Sequence, residues 1–511
     1  MLRNKFLFQI LTVGVLILCH ANFISAQKAD AGKIALAKFE KSIEQGNYAA
    51  IERDLLNYAI QNPADTKGFE LLGKLRFAQN RLNEAKSLYQ KVLSLDSHSA
   101  SARINLAVVN FQIGNTEQAV SDLAGIEEKD ISNQTLRLKL AQAFALVGDC
   151  QKALSNVEKL DVKIKNADAL PLRAACYLQS GDKQKVASLI VSAKNQAKQN
   201  LSVLIKFAEV LNGAVMYKEA ADILRSVVSA APQNAAALIL LAKSEIYTKD
   251  FANAKIHLNQ ASKTNLNSPD LFFVQGLLAN EQGNTAQSLD LLEKSLAANP
   301  DSTTVLSQFV VTAMRAGYAG RAFKAATKLL ELKPDEPDFL YLHGASALQN
   351  NNLPAAENSL NRYAALRPKD ARGCLALGLT YAAQPEKFEN ARRQLKHCIE
   401  TNPNDFEAKY QLGLSYKTQG ETGKAVEYLE EAVKLAPDYA LALRDLGAVY
   451  LQSGAEIRAR AALEKSVAIN PNDADTHFQL SRLYNLIKET DLAKKHLAIF
   501  QKLKNPNKNG M

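Results

Sequence analysis

Phe406–Tyr439 reads FEAKYQLGLSYKTQGETGKAVEYLEEAVKLAPDY, and the stretch of equal length that follows, Ala440–Asp473, reads ALALRDLGAVYLQSGAEIRARAALEKSVAINPND. Laid one over the other, they keep Leu412, Gly413, Tyr416, Gly420, Ala425, Leu429, Ala432 and Pro437 in phase with Leu446, Gly447, Tyr450, Gly454, Ala459, Leu463, Ser466 and Pro471. Leu412 and Tyr416 lie four apart, and Ala425, Leu429 and Ala432 follow at four then three, so each set forms one stripe along a helix. Gly413 and Ala425 carry almost no side chain and mark where two antiparallel helices come closest. A glycine inside a helix costs about 1 kcal/mol against alanine, so close packing has to offset it. Gly420 suits the turn between the helices, and Pro437 ends the second one because it has no N–H for the next bond. The unit is a helical hairpin.

The same phase runs outward in both directions. Fourteen units fit between residues 32 and 507, starting at 32, 66, 100, 134, 167, 201, 235, 269, 303, 337, 371, 406, 440 and 474. The fourth is one residue short and the eleventh one long. The eighth position of a unit holds Gly73, Ala107, Ala141, Ala208, Ala242, Gly276, Gly344, Gly378 and their equivalents, with Phe39 and Val310 as exceptions. The closing proline recurs as Pro63, Pro232, Pro300, Pro334, Pro368, Pro403, Pro437 and Pro471. Asp301, Asp335, Asp405 and Asp473 follow it and are expected to cap the next helix. Val157–Asn200 departs most: Pro171 falls where a first helix should already be running, which predicts a kink or a late helix start.

These spacings resemble the signature of the tetratricopeptide repeat (TPR) family, in which Leu-Gly, Tyr, Ala, a large apolar residue, Ala and Pro recur in that order with the same period. The resemblance covers nearly the whole chain, although Phe69, Phe272, Leu306 and Leu340 stand where the family has Trp. It implies an all-α fold, a right-handed superhelix of about fourteen helix-turn-helix repeats whose first helices line a concave groove. It also implies a protein or peptide partner and no catalytic role. Packing uses the fourth, seventh, eighth and eleventh positions, which leaves the second, fifth, ninth, twelfth and thirteenth to face the groove. Those positions include Tyr247, Phe273, Leu277, Met314, Tyr341, Leu375, Leu379 and Tyr410, with Arg315 and Arg372 among them. A solvated helix face is normally more polar, so an apolar peptide segment is the expected occupant. The competing account is that such residues pack against the neighbouring repeat.

Composition narrows the function classes. The net charge is +10, but Lys, Arg, Asp and Glu are mixed along the chain and no aromatic-interleaved basic stripe appears, which argues against nucleic acid. Residues 1–26 have the three-part form of a secretory signal: Arg3 and Lys5, an apolar run Phe6–Cys19, then Ile24-Ser25-Ala26. Cleavage near Ala26 would leave a short segment 27–31 before the repeats, with 508–511 as a tail, and would place the protein in the periplasm or cell envelope. An uncleaved membrane anchor needs about 20 apolar residues, and His20 and Asn22 interrupt the run.

The seven histidines are scattered, and no zinc-protease, phosphate-loop or hydrolase-elbow motif is present, so no cofactor or metal is expected. By repeat position, Cys374 and Cys398 lie side by side on one hairpin, and Cys150 comes close to Cys176 on the next. Oxidising export would let both pairs close, whereas reduced they would be small buried fillers. The leading expectation is an interaction scaffold or assembly factor of the envelope. A polysaccharide- or cell-wall-binding export component, or a groove-based enzyme, is the alternative.

Overall fold

The computed structural model describes residues 32–195, 200–264 and 267–505, and among them there are helices, turns and no strand. The expected signal segment 1–26, the stretch 27–31 and the tail 508–511 lie outside the described residues. The chain divides into two units, one ending at Thr264 and one beginning at Asn265, and each is a run of antiparallel helix pairs.

A regular repeat pairs a first helix of 13 residues with a second of 14, as in Phe406–Thr418 and Thr422–Leu435. Asp405 opens the pair by accepting a hydrogen bond from the Ala408 N–H at 2.9 Å, filling one donor that the first turn leaves unmatched. At the far end Ala436 is the C-cap and Pro437 blocks another turn.

The glycine at the eighth position is explained by the leucine opposite it. A Cβ built on Gly413 would stand 2.8 Å from Leu429 Cγ, one on Gly447 2.6 Å from Leu463 Cγ, and one on Gly344 2.5 Å from Leu360 Cγ. All three leucines are fully buried. Each leucine therefore packs directly on the backbone of the first helix.

Except between Ala371–Ala382 and Phe388–Thr401, the turn between the helices has its own marker, one residue with positive φ. It is Gly46, Asn80, Gly114, Gly148, Gly181, Val215 and Lys249 in the first unit, and Gly283, Gly317, Asn351, Gly420, Gly454 and Lys488 in the second. At Gly420 the glycine N–H bonds the Lys417 carbonyl at 3.0 Å and the Glu421 N–H bonds that of Tyr416 at 3.0 Å. Orphan carbonyls at the end of the helix are satisfied in this way.

Burial follows the stripes. In the first unit Phe207, Leu211, Ile223 and Leu224 form part of one cluster, and Leu140, Phe144, Val157 and Cys176 part of another. In the second, Leu412, Leu429, Leu446, Leu463 and Leu480 run continuously through successive repeats. No repeat owns a core of its own, since each buries its leucines against the next.

One local expectation holds and two need correction. The helix of the unit that begins at 167 starts late, as Pro171 predicts. A five-residue helix Val162–Asn166 intervenes, and the first helix runs from Leu170 to Gln179 with Pro171 in its first turn, the one place where a missing N–H costs nothing. Asp405 and Asp473 cap their helices, but Asp301 and Asp335 do not. In those two repeats Ser302 and Glu336 occupy the cap position, and the aspartates pair instead with Lys328 and Arg362, each at 2.8 Å.

Candidate partner-binding face

The first helices of the second unit bring their partly exposed apolar side chains to equivalent places in consecutive repeats. Tyr341 lies on Pro337–Gln349, Leu375 and Leu379 one turn apart on Ala371–Ala382, and Leu414 on Phe406–Thr418, all partly exposed. Val311 and Met314 on Thr303–Arg315 extend the row, with Val311 more open than Met314. Met314 and Phe273 rest against the cluster of Leu306, Phe309 and Val310 and expose only part of their surface.

The structure brings Tyr341 and Arg372 together across two repeats. The Arg372 guanidinium lies 5.2 Å over the Tyr341 ring. It is held there by Asp370 Oδ2 at 2.7 Å and by the Tyr363 hydroxyl at 3.2 Å. Burial pushes the Tyr341 phenol above its ordinary range. Arg315 is exposed and reaches Asn280 Oδ1 at 3.3 Å, while Gln349 donates to the Met314 carbonyl at 2.9 Å. These contacts tie each first helix to the next and set the row's spacing. Tyr247 belongs to the first unit, where its ring stacks on Tyr217 at 4.3 Å.

Two residues expected on this face are not on offer to a partner. Leu277 and Tyr410 are each only 4% exposed. The Tyr410 hydroxyl donates to Asp445 Oδ2 at 2.9 Å, and the same carboxylate takes Lys417 Nζ at 2.6 Å and Arg444 Nη2 at 2.9 Å. Tyr439 closes over the Tyr410 ring edge-on at 5.3 Å. Tyr410 therefore anchors one repeat to the next. The sequence carried a signal for this, since Asp445 follows Tyr410 by one repeat plus one residue, the spacing of lateral neighbours. Sequence reasoning also passed over Leu441 and Phe478, both exposed on later first helices.

A cleft of about 730 Å³ is lined by residues of the helices Thr285–Ala298, Thr303–Arg315 and Ala319–Leu332. Leu306, Phe309 and Phe323 are among its lining residues, and the cations Arg321 and Lys328 at its rim are paired with Glu293 and Asp301. Cys150 is bonded to Cys176 with Cα atoms 5.2 Å apart, and Cys374 to Cys398 with Cα atoms 5.6 Å apart. Among the described residues no group of three or more His, Cys, Asp or Glu could hold a metal ion, and no helix is long and apolar enough to cross a membrane.

Tetratricopeptide repeat family models match residues 76–130, 375–439 and 410–474. BBSome complex member bbs-4 of Caenorhabditis elegans is 25% identical over 42% of this chain and 47% of its own length. Cellulose synthase operon protein C of Pseudomonas fluorescens is 25% identical over 84% of this chain and 36% of its own. The chain thus spans about half or less of the length of these relatives. Among solved structures, the APC/C hetero-tetramer Cut9-Hcn1 is 15% identical and covers 90% of this chain and 95% of its own, with a TM-score of 0.43. The segments that the family models match fall on successive antiparallel helix pairs of the array, and the chain belongs to the tetratricopeptide repeat family.

Proposed function

We propose that this protein is a non-catalytic scaffold or assembly factor of the periplasm or cell envelope that holds an apolar peptide segment of a partner along the first helices of its second unit. The observation that carries this reading is the row Val311, Met314, Tyr341, Leu375, Leu379 and Leu414, apolar side chains left partly open at repeating positions. A helix face exposed to water alone would be more polar, and contiguous apolar surface of this kind commonly receives a partner. Arg315 and Arg372 flank the row and would contribute polar contacts that set register. Relatives named as complex members, bbs-4 and anaphase-promoting complex subunit 3 of Schizosaccharomyces pombe, fit a role in assembling proteins. The paired cysteines support an oxidising compartment, as does the apolar segment Phe6–Cys19 in the sequence.

Capture of partners from an envelope extract by the wild-type chain, and their loss with Tyr341→Ala plus Leu375→Ala, is the expected result. Unchanged capture by that variant would remove the face from the reading. N-terminal sequencing of the mature protein tests export, with a first residue at or near Gln27 expected. The alignment to cellulose synthase operon protein C along most of the chain favours a second reading, a component of polysaccharide export. Retention of glycan with no protein captured would support that instead.

A further inference from the structure

The left-handed residue of each turn serves as a ruler along the chain. From Gly46 to Lys488 it recurs at one constant interval, that between Gly46 and Asn80, with two departures. The step from Gly148 to Gly181 is one residue short of the interval, and the step from Asn351 to Gly420 is one residue longer than two intervals. The two cystines lie inside these two steps, Cys150–Cys176 in the first and Cys374–Cys398 in the second.

Both places depart from the regular repeat, each in its own way. In the first, the second helix Cys150–Glu158 has nine residues instead of fourteen, and Leu170–Gln179 has ten instead of thirteen. The bridge joins these two helices across the junction. In the second, a 3-10 turn at Pro385–Lys387 replaces the left-handed residue. The bridge there joins Ala371–Ala382 to Phe388–Thr401 at the open end of the hairpin, away from the altered turn. Stability in a repeat array is close to a sum of each unit and its interfaces, so local opening costs least where a unit is out of phase.

We propose that the two cystines are redox-set clamps on the two off-phase repeats, so that a dithiol reductant loosens the array at these places and leaves regular repeats closed. Each reduction breaks one S–S bond. The dithiol supplies two electrons and two protons, the protein gains two cysteine thiols, and the reductant leaves as its own disulfide. Cys150 is half-buried, whereas Cys176, Cys374 and Cys398 are buried. Thiolate attack depends on access, so the Cys150–Cys176 bridge opens first. The helix released at the second clamp carries Arg372, Leu375 and Leu379, which links the redox state to the partner-binding face.

The test uses the full chain purified without reductant, then reduced stepwise with dithiothreitol, alkylated, and followed by hydrogen exchange with mass spectrometry. The expected result is no free thiol among Cys150, Cys176, Cys374 and Cys398 at the start, and first labelling at Cys150 and Cys176. Amide exchange should then quicken on the order of a hundredfold in 150–179 and 371–401, with 406–469 unchanged. Free thiols at the start, unchanged exchange after full reduction, or quickening spread evenly over all repeats would overturn the proposal. The double variants Cys150→Ala/Cys176→Ala and Cys374→Ala/Cys398→Ala should each reproduce only their own local opening. Reduction of the folded wild type carries the test if either variant fails to fold.

Discussion

The phenol of Tyr363 donates a 2.6 Å hydrogen bond to the Asp370 carboxylate, joining the end of one repeat to the N-cap of the next. Tyr58 and Asp65 repeat the relationship at 2.7 Å in the first unit. In both cases a glycine three residues after the aspartate, Gly373 or Gly68, makes room for the ring. The hydrogen bond from Arg372 is the main reason the Asp370 carboxyl sits well below its usual range. Burial and the neighbouring carboxylate push Tyr363 up to about 12.

These shifts fix how stability should respond to pH. Asp370 is depressed in the folded state, so its contribution is present above about pH 4 and is lost as the pH falls through the depressed value. Tyr363 is raised, so its contribution is full below about pH 10 and is lost as the pH climbs toward 12. Asp370→Asn should destabilise by about 1 kcal/mol at pH 7, a modest figure because Arg372 is half open to solvent. Urea melts should show the gap to wild type narrowing below about pH 4. A gap independent of pH would contradict the account.

Gly344→Ala sets two effects against each other. Alanine favours a helix by about 1 kcal/mol over glycine, but its Cβ would stand 2.5 Å from Leu360 Cγ in a fully buried contact. Overpacking of that kind costs about 1–3 kcal/mol, so net destabilisation is expected in chemical denaturation. In a Leu360→Ala background the same substitution should no longer destabilise, because the γ carbon that the new Cβ meets is gone.

Val215 holds a left-handed backbone (φ 64°) and leaves 69% of its surface exposed. A side chain with a Cβ costs about 1–2 kcal/mol there, and little packing is at stake. Val215→Gly should therefore stabilise the protein by about 0.5–1 kcal/mol, after the larger unfolded-state entropy of glycine is set against the gain. An unchanged or lower urea midpoint would speak against strain at this turn.

Tyr341 and Tyr410 occupy the same repeat position and should behave oppositely. Tyr341→Ala is expected to weaken partner capture severalfold or more with a small change in stability. Tyr410→Phe removes one of the bonds to buried Asp445 and should cost about 1–2 kcal/mol of stability while leaving capture intact. Parallel pull-down and denaturation measurements separate the two roles, and loss of capture by Tyr410→Phe with unchanged stability would reverse the assignment.

The repeat was legible in the sequence because its physics is local. Gly413 with Leu429, Gly420 at the turn and Pro437 after the helix each declare a backbone need within a single repeat, and periodicity carries that need along the chain. Helix starts at Thr66, Ala100, Leu201 and Ala474 follow from counting alone. Lateral neighbours are another matter. Tyr410 and Tyr341 hold equivalent places, yet one is capped by Asp445 and Tyr439 while the other stays partly open beneath Arg372. That difference depends on which side chains of the next repeat lean over the ring, and no single unit encodes it. The sequence by itself determined the hairpin, its phase and the two slips in that phase. Only the tertiary structure decided which apolar positions remain open, because exposure is set between repeats, by side chains of the neighbouring unit that lean over the position or leave it bare.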